Sequence, residues 1–344
     1  MTNQKCLGRC HPLLDHKIYV GFTEYKQGAQ LTTMLIGAGG WAYFRVPGED
    51  TLTAYTRAFN FVEVNSTFYE YPDMRTVRSW RRKAPRDFEF SVRCHRDISH
   101  QNRLEPSNLN IASLEKILDI CEALRAPVLH VLTPRGMKFN NEVTRKIRDL
   151  FGSVSLNRMR IALQVPQANA EALDECITRI MQDLNMVHCV DLSKEEPAYK
   201  SDLLYTRLFG HGEGNVYQFT DEELREIDAR ASKPEFEKSI LAFHGVKMYK
   251  DAARLKVFRN TGSFSPVTSS LGLESLREVL SEDQSFPASK TTLIERQGWK
   301  IIDLTSERRV AAAEVLAKLP DRQYLSTGEV LLALRNQIPL IQRG

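Results

Sequence analysis

Eight short apolar runs alternate with longer amphipathic stretches through most of the chain. Each run has the length and composition of a buried strand, and in the stretches between the runs apolar residues recur every three or four positions, as on one face of a helix. This alternation is typical of a parallel sheet built from repeated strand-helix units. The runs are residues 34–38, 61–65, 88–93, 127–132, 160–165, 187–191, 204–208 and 239–244.

Eight such units predict a (β/α)8 barrel, the TIM-barrel fold of the α/β class. The last unit ends near Phe258, so we place the barrel at residues 34–262. The pattern then breaks, and residues 266–338 carry several short helical patterns with one candidate strand at 300–304, which predicts a small, mostly helical carboxyl-terminal domain. Residues 1–33 have no sustained periodicity, which leaves two interpretations: a mobile amino-terminal extension, or a biological start at Met34.

Composition narrows the class of protein. The net charge of the 344 residues is +4, too small by itself to indicate a nucleic-acid-binding protein, although residues 75–103 contain nine basic and three acidic side chains. No apolar run approaches the roughly 18 residues that span a membrane, and no signal peptide is evident. The six cysteines are scattered, as in a reduced, cytosolic protein. We therefore expect a soluble cytoplasmic protein with no membrane partner.

Polar side chains recur at the carboxyl ends of the predicted strands. A packed barrel interior favours branched apolar side chains, whereas catalytic residues gather at the carboxyl ends of the strands. Because strand residues alternate between faces, Val62 and Val64 should face the helices and Glu63 the interior. These positions therefore predict a site at the carboxyl-terminal rim. They are Glu63, Asn65, Arg93, His130, Gln164, Asp191, Arg207 and His244.

The charged members of this set have two interpretations. Glu63 and Asp191 are candidates for acid/base catalysis, and Arg93 and Arg207 are candidates for binding a phosphate or carboxylate through paired hydrogen bonds. The alternative is structural: Glu63 forms a buried ion pair with Arg93 or Arg207, and the arginines neutralise the carboxylates.

Several separate phrases resemble one known family. They are Gly37-Ala-Gly-Gly-Trp-Ala-Tyr43, Val62 to Pro72, Trp80 with Pro85 and Phe88, Tyr205-Thr-Arg-Leu-Phe-Gly210, and Phe243 with Asp251-Ala252. In this order they resemble the domain of unknown function 72 family, also called YecE-like, over residues 34–256. The resemblance implies a TIM barrel with no settled reaction. Residues 286–290, 319–324 and 326–329 resemble the domain of unknown function 2795 family, a small helical module.

The first resemblance also implies site residues. It places Trp41, Tyr43, Glu63, Asn65, Ser66, Tyr69, His100, Asp191 and Arg207 on motif positions. Of these, Trp41, Tyr43 and Tyr69 are candidates for a wall that stacks on a base or sugar ring, and His100 for catalysis. Members of the family commonly have an acidic residue where Gln164 stands here. A neutral amide is a poor ligand for a hard metal, so no strong motif supports the divalent metal that such a site could hold.

These observations predict an enzyme acting on a phosphate-bearing or sugar-like small molecule, or on a nucleic-acid fragment. The chemistry would be acid/base or metal-assisted, as in a hydrolase or isomerase. The alternative is a non-catalytic module that binds nucleic acid or protein. In that case Arg75, Arg78 and Arg82, which share one helical face, would contact phosphates, and the carboxyl-terminal domain would contact a protein partner.

Overall fold

The computed structural model describes residues 32–166 and 175–335. The chain forms two compact units with a boundary between Ser265 and Pro266. Residues 1–31 of the predicted amino-terminal extension lie outside the described residues. Residues 336–338, at the end of the predicted carboxyl-terminal domain, also lie outside them.

The first unit contains eight strands in one parallel sheet. Each of the first five strands pairs with the next along the chain, and the last strand pairs with both the first and the seventh. A single bridge between Val190 and Thr206 joins the remaining edges. The sheet is thus a nearly closed barrel, and the predicted TIM-barrel fold is confirmed. The strands are β1 (Thr33–Ala38), β2 (Phe61–Val64), β3 (Glu89–Arg93), β4 (Val128–Leu132), β5 (Arg160–Gln164), β6 (Val187–His188), β7 (Leu203–Leu208) and β8 (Lys238–Phe243).

A helix follows each strand of the barrel except the sixth, and most of these helices begin at a polar capping residue. Asp50, Asp73, Ser107, Asn140 and Thr220 each accept a hydrogen bond from a backbone N–H of the first turn, which satisfies a donor that the helix itself leaves unpaired. The helices of this unit are α1 (Thr51–Ala58), α2 (Met74–Lys83), α3 (Asn108–Leu124), α4 (Asn141–Gly152), α5 (Glu175–Asp183), α6 (Asp221–Ala231) and α7 (Met248–Thr261).

The two faces of the strands are as the alternation predicts. Val62 and Val64 belong to the core between strands and helices. Phe61 belongs to the separate apolar cluster inside the barrel. Glu63 also points into the barrel, closer to the carboxyl ends of the strands than Phe61. It contacts the inward-facing side chains of Tyr205 and Arg207. The interior is therefore apolar at its base and polar towards the carboxyl ends of the strands.

The sixth strand is shorter than predicted. It ends at His188 instead of residue 191, and the chain turns at Asp191, whose carbonyl accepts a hydrogen bond from the N–H of Lys194. The Asp191 side chain stabilises this turn by accepting hydrogen bonds from the backbone N–H and hydroxyl of Ser193. A local side-chain bond of this kind competes with strand pairing.

The second unit has its own core and more strands than predicted. Its described residues, up to Arg335, form four helices and two short antiparallel pairs of strands, where the sequence indicated one strand. Before the last helix, Ser326 accepts a hydrogen bond from the N–H of Glu329, and Glu329 accepts one from the N–H of Leu325. The elements are α8 (Leu273–Asp283), β9 (Ala288–Ser289), α9 (Lys290–Gln297), β10 (Ile301–Asp303), β11 (Arg309–Ala311), α10 (Ala312–Leu316), β12 (Gln323–Tyr324) and α11 (Thr327–Arg335).

Among the described residues, no helix combines the length and the apolar character needed to cross a bilayer.

Candidate functional site

Glu63 lies at the centre of a buried polar cluster. Its side chain is fully buried. One carboxylate oxygen accepts a hydrogen bond from the Tyr205 hydroxyl at 2.8 Å, and the other accepts from Nη2 of Arg207 at 3.1 Å. Burial alone would raise the pKa of Glu63, but the charge of Arg207 and the Tyr205 hydrogen bond outweigh it and hold the pKa well below its ordinary value. Glu63 is therefore an anion within the barrel.

Arg207 uses all three of its guanidinium nitrogens inside the cluster. Besides Glu63, it donates from Nη1 to Oε1 of Gln164 at 3.0 Å and from Nε to Nε2 of His244 at 3.2 Å. A guanidinium only donates, so Nε2 of His244 accepts and His244 is neutral. Burial and the charge of Arg207 agree, since they lower the pKa of His244 to about 3. Three strands are thus connected through one side chain.

A close approach of backbone to ring keeps His244 in place. A Cβ on Gly39 would lie 2.1 Å from a carbon of the His244 ring, so only glycine fits there. On the other side, the Phe209 ring stacks on His244 with 4.7 Å between ring centroids. Gly39, which follows β1, thus has a packing role beside the site.

Arg93 forms a second positive centre nearer the rim. Its Nη1 donates to Oδ1 of Asn65 at 2.8 Å, and its guanidinium lies over the Phe68 ring at 3.7 Å from the centroid. Burial, together with the charge of Arg207, lowers the pKa of Arg93. Within the described part of the chain, no carboxylate forms an ion pair with Arg93, and its Nε is buried without a hydrogen-bond partner.

His100 and Tyr69 lie around the same Phe68 ring. Both contact it edge to face, with centroids 5.1 Å and 5.0 Å away. Nδ1 of His100 is 2.8 Å from the Ser99 hydroxyl. Burial and the charge of Arg93 lower the pKa of this half-exposed imidazole, which favours its neutral form. A neutral imidazole next to a guanidinium can accept a proton from a bound molecule.

Asp191 is at the same end of the barrel, but its oxygens are occupied locally. Besides the Ser193 bonds, it accepts from the N–H of Phe209 at 3.0 Å, and Nζ of Lys194 lies 3.4 Å away. These contacts join the end of β6 to the end of β7.

The other predicted binding residues are spread around the rim. Trp41 packs edge to face on Trp80 with centroids 5.1 Å apart, while Tyr43 is 80% exposed and Ser66 is also exposed. The three aromatic residues proposed to form a stacking wall have different neighbours. Trp41 packs on Trp80, Tyr69 packs on Phe68, and Tyr43 is surrounded by solvent.

Sequence reasoning missed Tyr205 and Phe68. The Tyr205 hydroxyl forms a hydrogen bond of 2.7 Å with the Ser91 hydroxyl. Because Tyr205 donates its proton to the Glu63 carboxylate, Ser91 is the donor in this second bond. Tyr205 stands two residues before Arg207 on one strand, so strand alternation would have found it. Phe68 lies within the polar and aromatic segment after β2. No sequence signal distinguishes it from a phenylalanine that only packs in the core.

In residues 32–166 and 175–335, no group of three or more His, Cys, Asp and Glu side chains is arranged so that it could hold a metal ion.

Comparison with known proteins gives the family. Residues 35–260 match the family model described as protein of unknown function DUF72. The chain belongs to this family. No curated protein matches it. The resemblance of the carboxyl-terminal region to a second family stays a prediction, because the DUF72 match ends before that region.

Solved DUF72 structures share the barrel. A DUF72 family protein from Enterococcus faecalis is 17% identical with a TM-score of 0.54, and the match covers 67% of this chain and 99% of that one. A DUF72 family protein from Thermotoga maritima is 18% identical with a TM-score of 0.53, covering 66% and 99%. At these identities the likeness establishes the fold alone.

Proposed function

We propose that this DUF72 barrel is an enzyme that binds a small molecule through a phosphate or a comparable anionic group at its carboxyl-terminal rim, and that it acts by proton transfer. Hydrolysis and isomerisation both require such a transfer. As predicted from the sequence, we propose that the substrate is a phosphate-bearing or sugar-like molecule, or a nucleic-acid fragment.

The observation that carries this proposal is that no carboxylate of the described residues contacts Arg93 directly, although the charge of Glu63 acts on it from a distance. Arg207 is neutralised by Glu63, whereas Arg93 is only 8% exposed and has a neutral hydrogen-bond partner, Asn65. A buried charge without a counter-charge is costly, and an anionic ligand offsets that cost. Asn65 and the Phe68 ring fix the orientation of the guanidinium, which suits it to planar, paired hydrogen bonds.

In this proposal His100 is the proton-transfer group. It is half-exposed, lies on the ring that supports Arg93, and is favoured in its neutral form. Glu63 and Asp191 were also predicted to be catalytic, but Glu63 has no exposed surface and Asp191 accepts three hydrogen bonds from neighbouring groups. We assign both to holding the site: Glu63 through Arg207, and Asp191 through Phe209.

Thermal unfolding with a panel of phosphate-bearing metabolites tests the anion site. We expect at least one compound to raise the melting temperature of the wild type and to lose this effect in Arg93→Gln, which can still bond Asn65. Arg78→Gln, which removes an exposed arginine of α2, is the matched control and should respond as the wild type does. A panel that leaves the wild type unshifted, or shifts Arg93→Gln equally, would contradict the proposal.

A divalent metal stays a prediction, and elemental analysis of the purified protein decides it. Stoichiometric zinc or manganese would favour metal-assisted hydrolysis or isomerisation, and its absence would leave acid/base or binding roles.

A second candidate function is binding of nucleic acid through α2. Arg75, Arg78 and Arg82 are exposed on one face of this helix. Contacts to phosphates would make the affinity fall steeply with salt. We would then expect DNA or RNA binding that survives Asp191→Asn and weakens when the three arginines are replaced by glutamine. Unchanged binding in the triple variant would contradict this candidate.

A further inference from the structure

The hydrogen bonds of Arg207 fix the proton positions on His130. Because Nη1 of Arg207 donates to the Gln164 side chain, the accepting atom is the amide oxygen, Oε1. Nε2 of His130 lies 3.0 Å from that same oxygen, so it must be the donor. In the neutral imidazole the other nitrogen, Nδ1, then has a free lone pair.

This lone pair faces a second acceptor. Nδ1 of His130 is fully buried, has no hydrogen-bond partner among the described residues, and lies 3.9 Å from Oε2 of Glu63. Two acceptors facing each other in a buried site form no bond, whereas one added proton would let them share a hydrogen bond after closing by about 1 Å. The pair thus has a place for a single proton.

Positive charge keeps that proton away. His130 is faced by Glu63 from β2, Arg93 from β3, Gln164 from β5, and Tyr205 and Arg207 from β7. His244, which follows β8, contacts Glu63, and the buried thiol of Cys189 lies in the same interior. Burial and the charges of Arg207 and Arg93 lower the pKa of His130, and Glu63 opposes them. His244 is a poorer proton acceptor, because protonation of its Nε2 would break the bond from Arg207.

We propose that an anion binding to Arg93 is accompanied by the uptake of one proton, which Nδ1 of His130 and Oε2 of Glu63 share. The proton comes from solvent. For a doubly charged anion such as sulfate, Arg93 offsets one negative charge and the added proton offsets the other. This inference rests on the proposed anion site. Its consequence is that affinity for the anion rises as the pH falls, by up to tenfold per pH unit where uptake is complete.

Isothermal titration calorimetry with sulfate tests the coupling, because sulfate itself does not titrate near neutral pH. We would compare bis-tris and Tris, two cationic buffers with different heats of ionisation. We expect the wild type to take up close to one proton per sulfate. His130→Gln, which places a donor near Nε2 and removes Nδ1, should bind sulfate without proton uptake. His211→Gln, which removes an exposed histidine, should keep it.

A second variant tests the same inference in case His130→Gln does not fold. Gln164→Glu places a negative charge between His130 and Arg207, so His130 should already be protonated before sulfate binds and uptake should again be lost. Sulfate binding to the wild type with equal heats in both buffers, or uptake that persists in either variant, would overturn the inference and leave the anion site standing. Absence of sulfate binding to the wild type would instead overturn the anion site.

Discussion

Glu63 depends on Arg207 because it is a fully buried carboxylate with one charged partner in direct contact. Removing one member of a buried pair leaves the other uncompensated, which typically costs about 3 to 5 kcal/mol. We expect Arg207→Met to lower the free energy of unfolding by roughly this amount at pH 8, as measured by urea denaturation.

The pH dependence and a double variant give the control for this prediction. In the wild type the pKa of Glu63 is depressed, so its contribution is present above pH 4.5 and is lost as the pH falls further. Without Arg207, burial raises that pKa, and the loss in Arg207→Met should shrink towards pH 5. Adding Glu63→Gln should recover part of the stability at pH 8. Equal losses at both pH values, with no recovery, would show that the pair is not the cause.

Strand alternation predicts at residue scale which side chains face the barrel interior, but not which of them meet. Glu63 was correctly placed inward, yet Arg93 and Arg207 were equal candidates for its partner. The choice depends on the neighbours that each strand gives its arginine: Arg207 reaches Glu63 and Gln164 together, while Arg93 is held by Asn65 and Phe68. Such three-dimensional competition has no signal in a single sequence.

A buried charge cluster connects α6 and α7 at the scale of elements. Arg254 donates to Asp251 at 2.9 Å and to Asp221 at 2.6 Å, and all three side chains are buried. One guanidinium thus serves two carboxylates. Burial, opposed by Arg254, raises the pKa of Asp251 to about 7.

The raised pKa predicts how α6 and α7 respond to pH. A carboxyl whose pKa is higher in the folded state stabilises the fold below its unfolded pKa, near 3.9, and this contribution is lost as the pH rises towards 7. Asp251→Asn cannot titrate, so the stability advantage of the wild type over it should shrink between pH 4.5 and pH 7.5 by roughly 1 to 4 kcal/mol in urea denaturation. Asp119→Asn, an exposed change on α3, should keep the wild-type dependence. A constant difference for Asp251→Asn would contradict the assignment.

Element positions in the barrel were predictable because each strand is an apolar run between polar segments. The exceptions have local causes. The sixth strand ends early where Asp191 bonds its own turn, and the extra strands of the second unit, such as Ala288–Ser289 and Gln323–Tyr324, are too short to show any periodicity.

At the scale of the whole molecule, the barrel ring has one weak junction. Between the ends of β6 and β7 there is a single bridge, at Val190 and Thr206. Every other pair of neighbouring strands is joined by at least two residue pairs. The Thr206 hydroxyl reinforces the junction by donating to the carbonyl of Val190 at 2.9 Å and accepting from the N–H of Leu192 at 3.0 Å. The Thr206 hydroxyl therefore closes the ring together with two other contacts: the N–H of Arg207 donates to the carbonyl of Val190, and the N–H of Phe209 donates to Asp191.

Thr206→Val keeps the shape of this side chain and removes both bonds. It leaves the N–H of Leu192 buried without its acceptor, which costs about 1 to 3 kcal/mol. We expect a loss of this size in urea denaturation together with faster hydrogen exchange at Leu192, whereas Thr206→Ser retains the hydroxyl and should protect Leu192 as the wild type does. Because Asp191 and Arg207 flank the junction, loosening it should also weaken sulfate binding in Thr206→Val. Equal exchange at Leu192 in the two variants would mean that the ring is closed by something other than this hydroxyl.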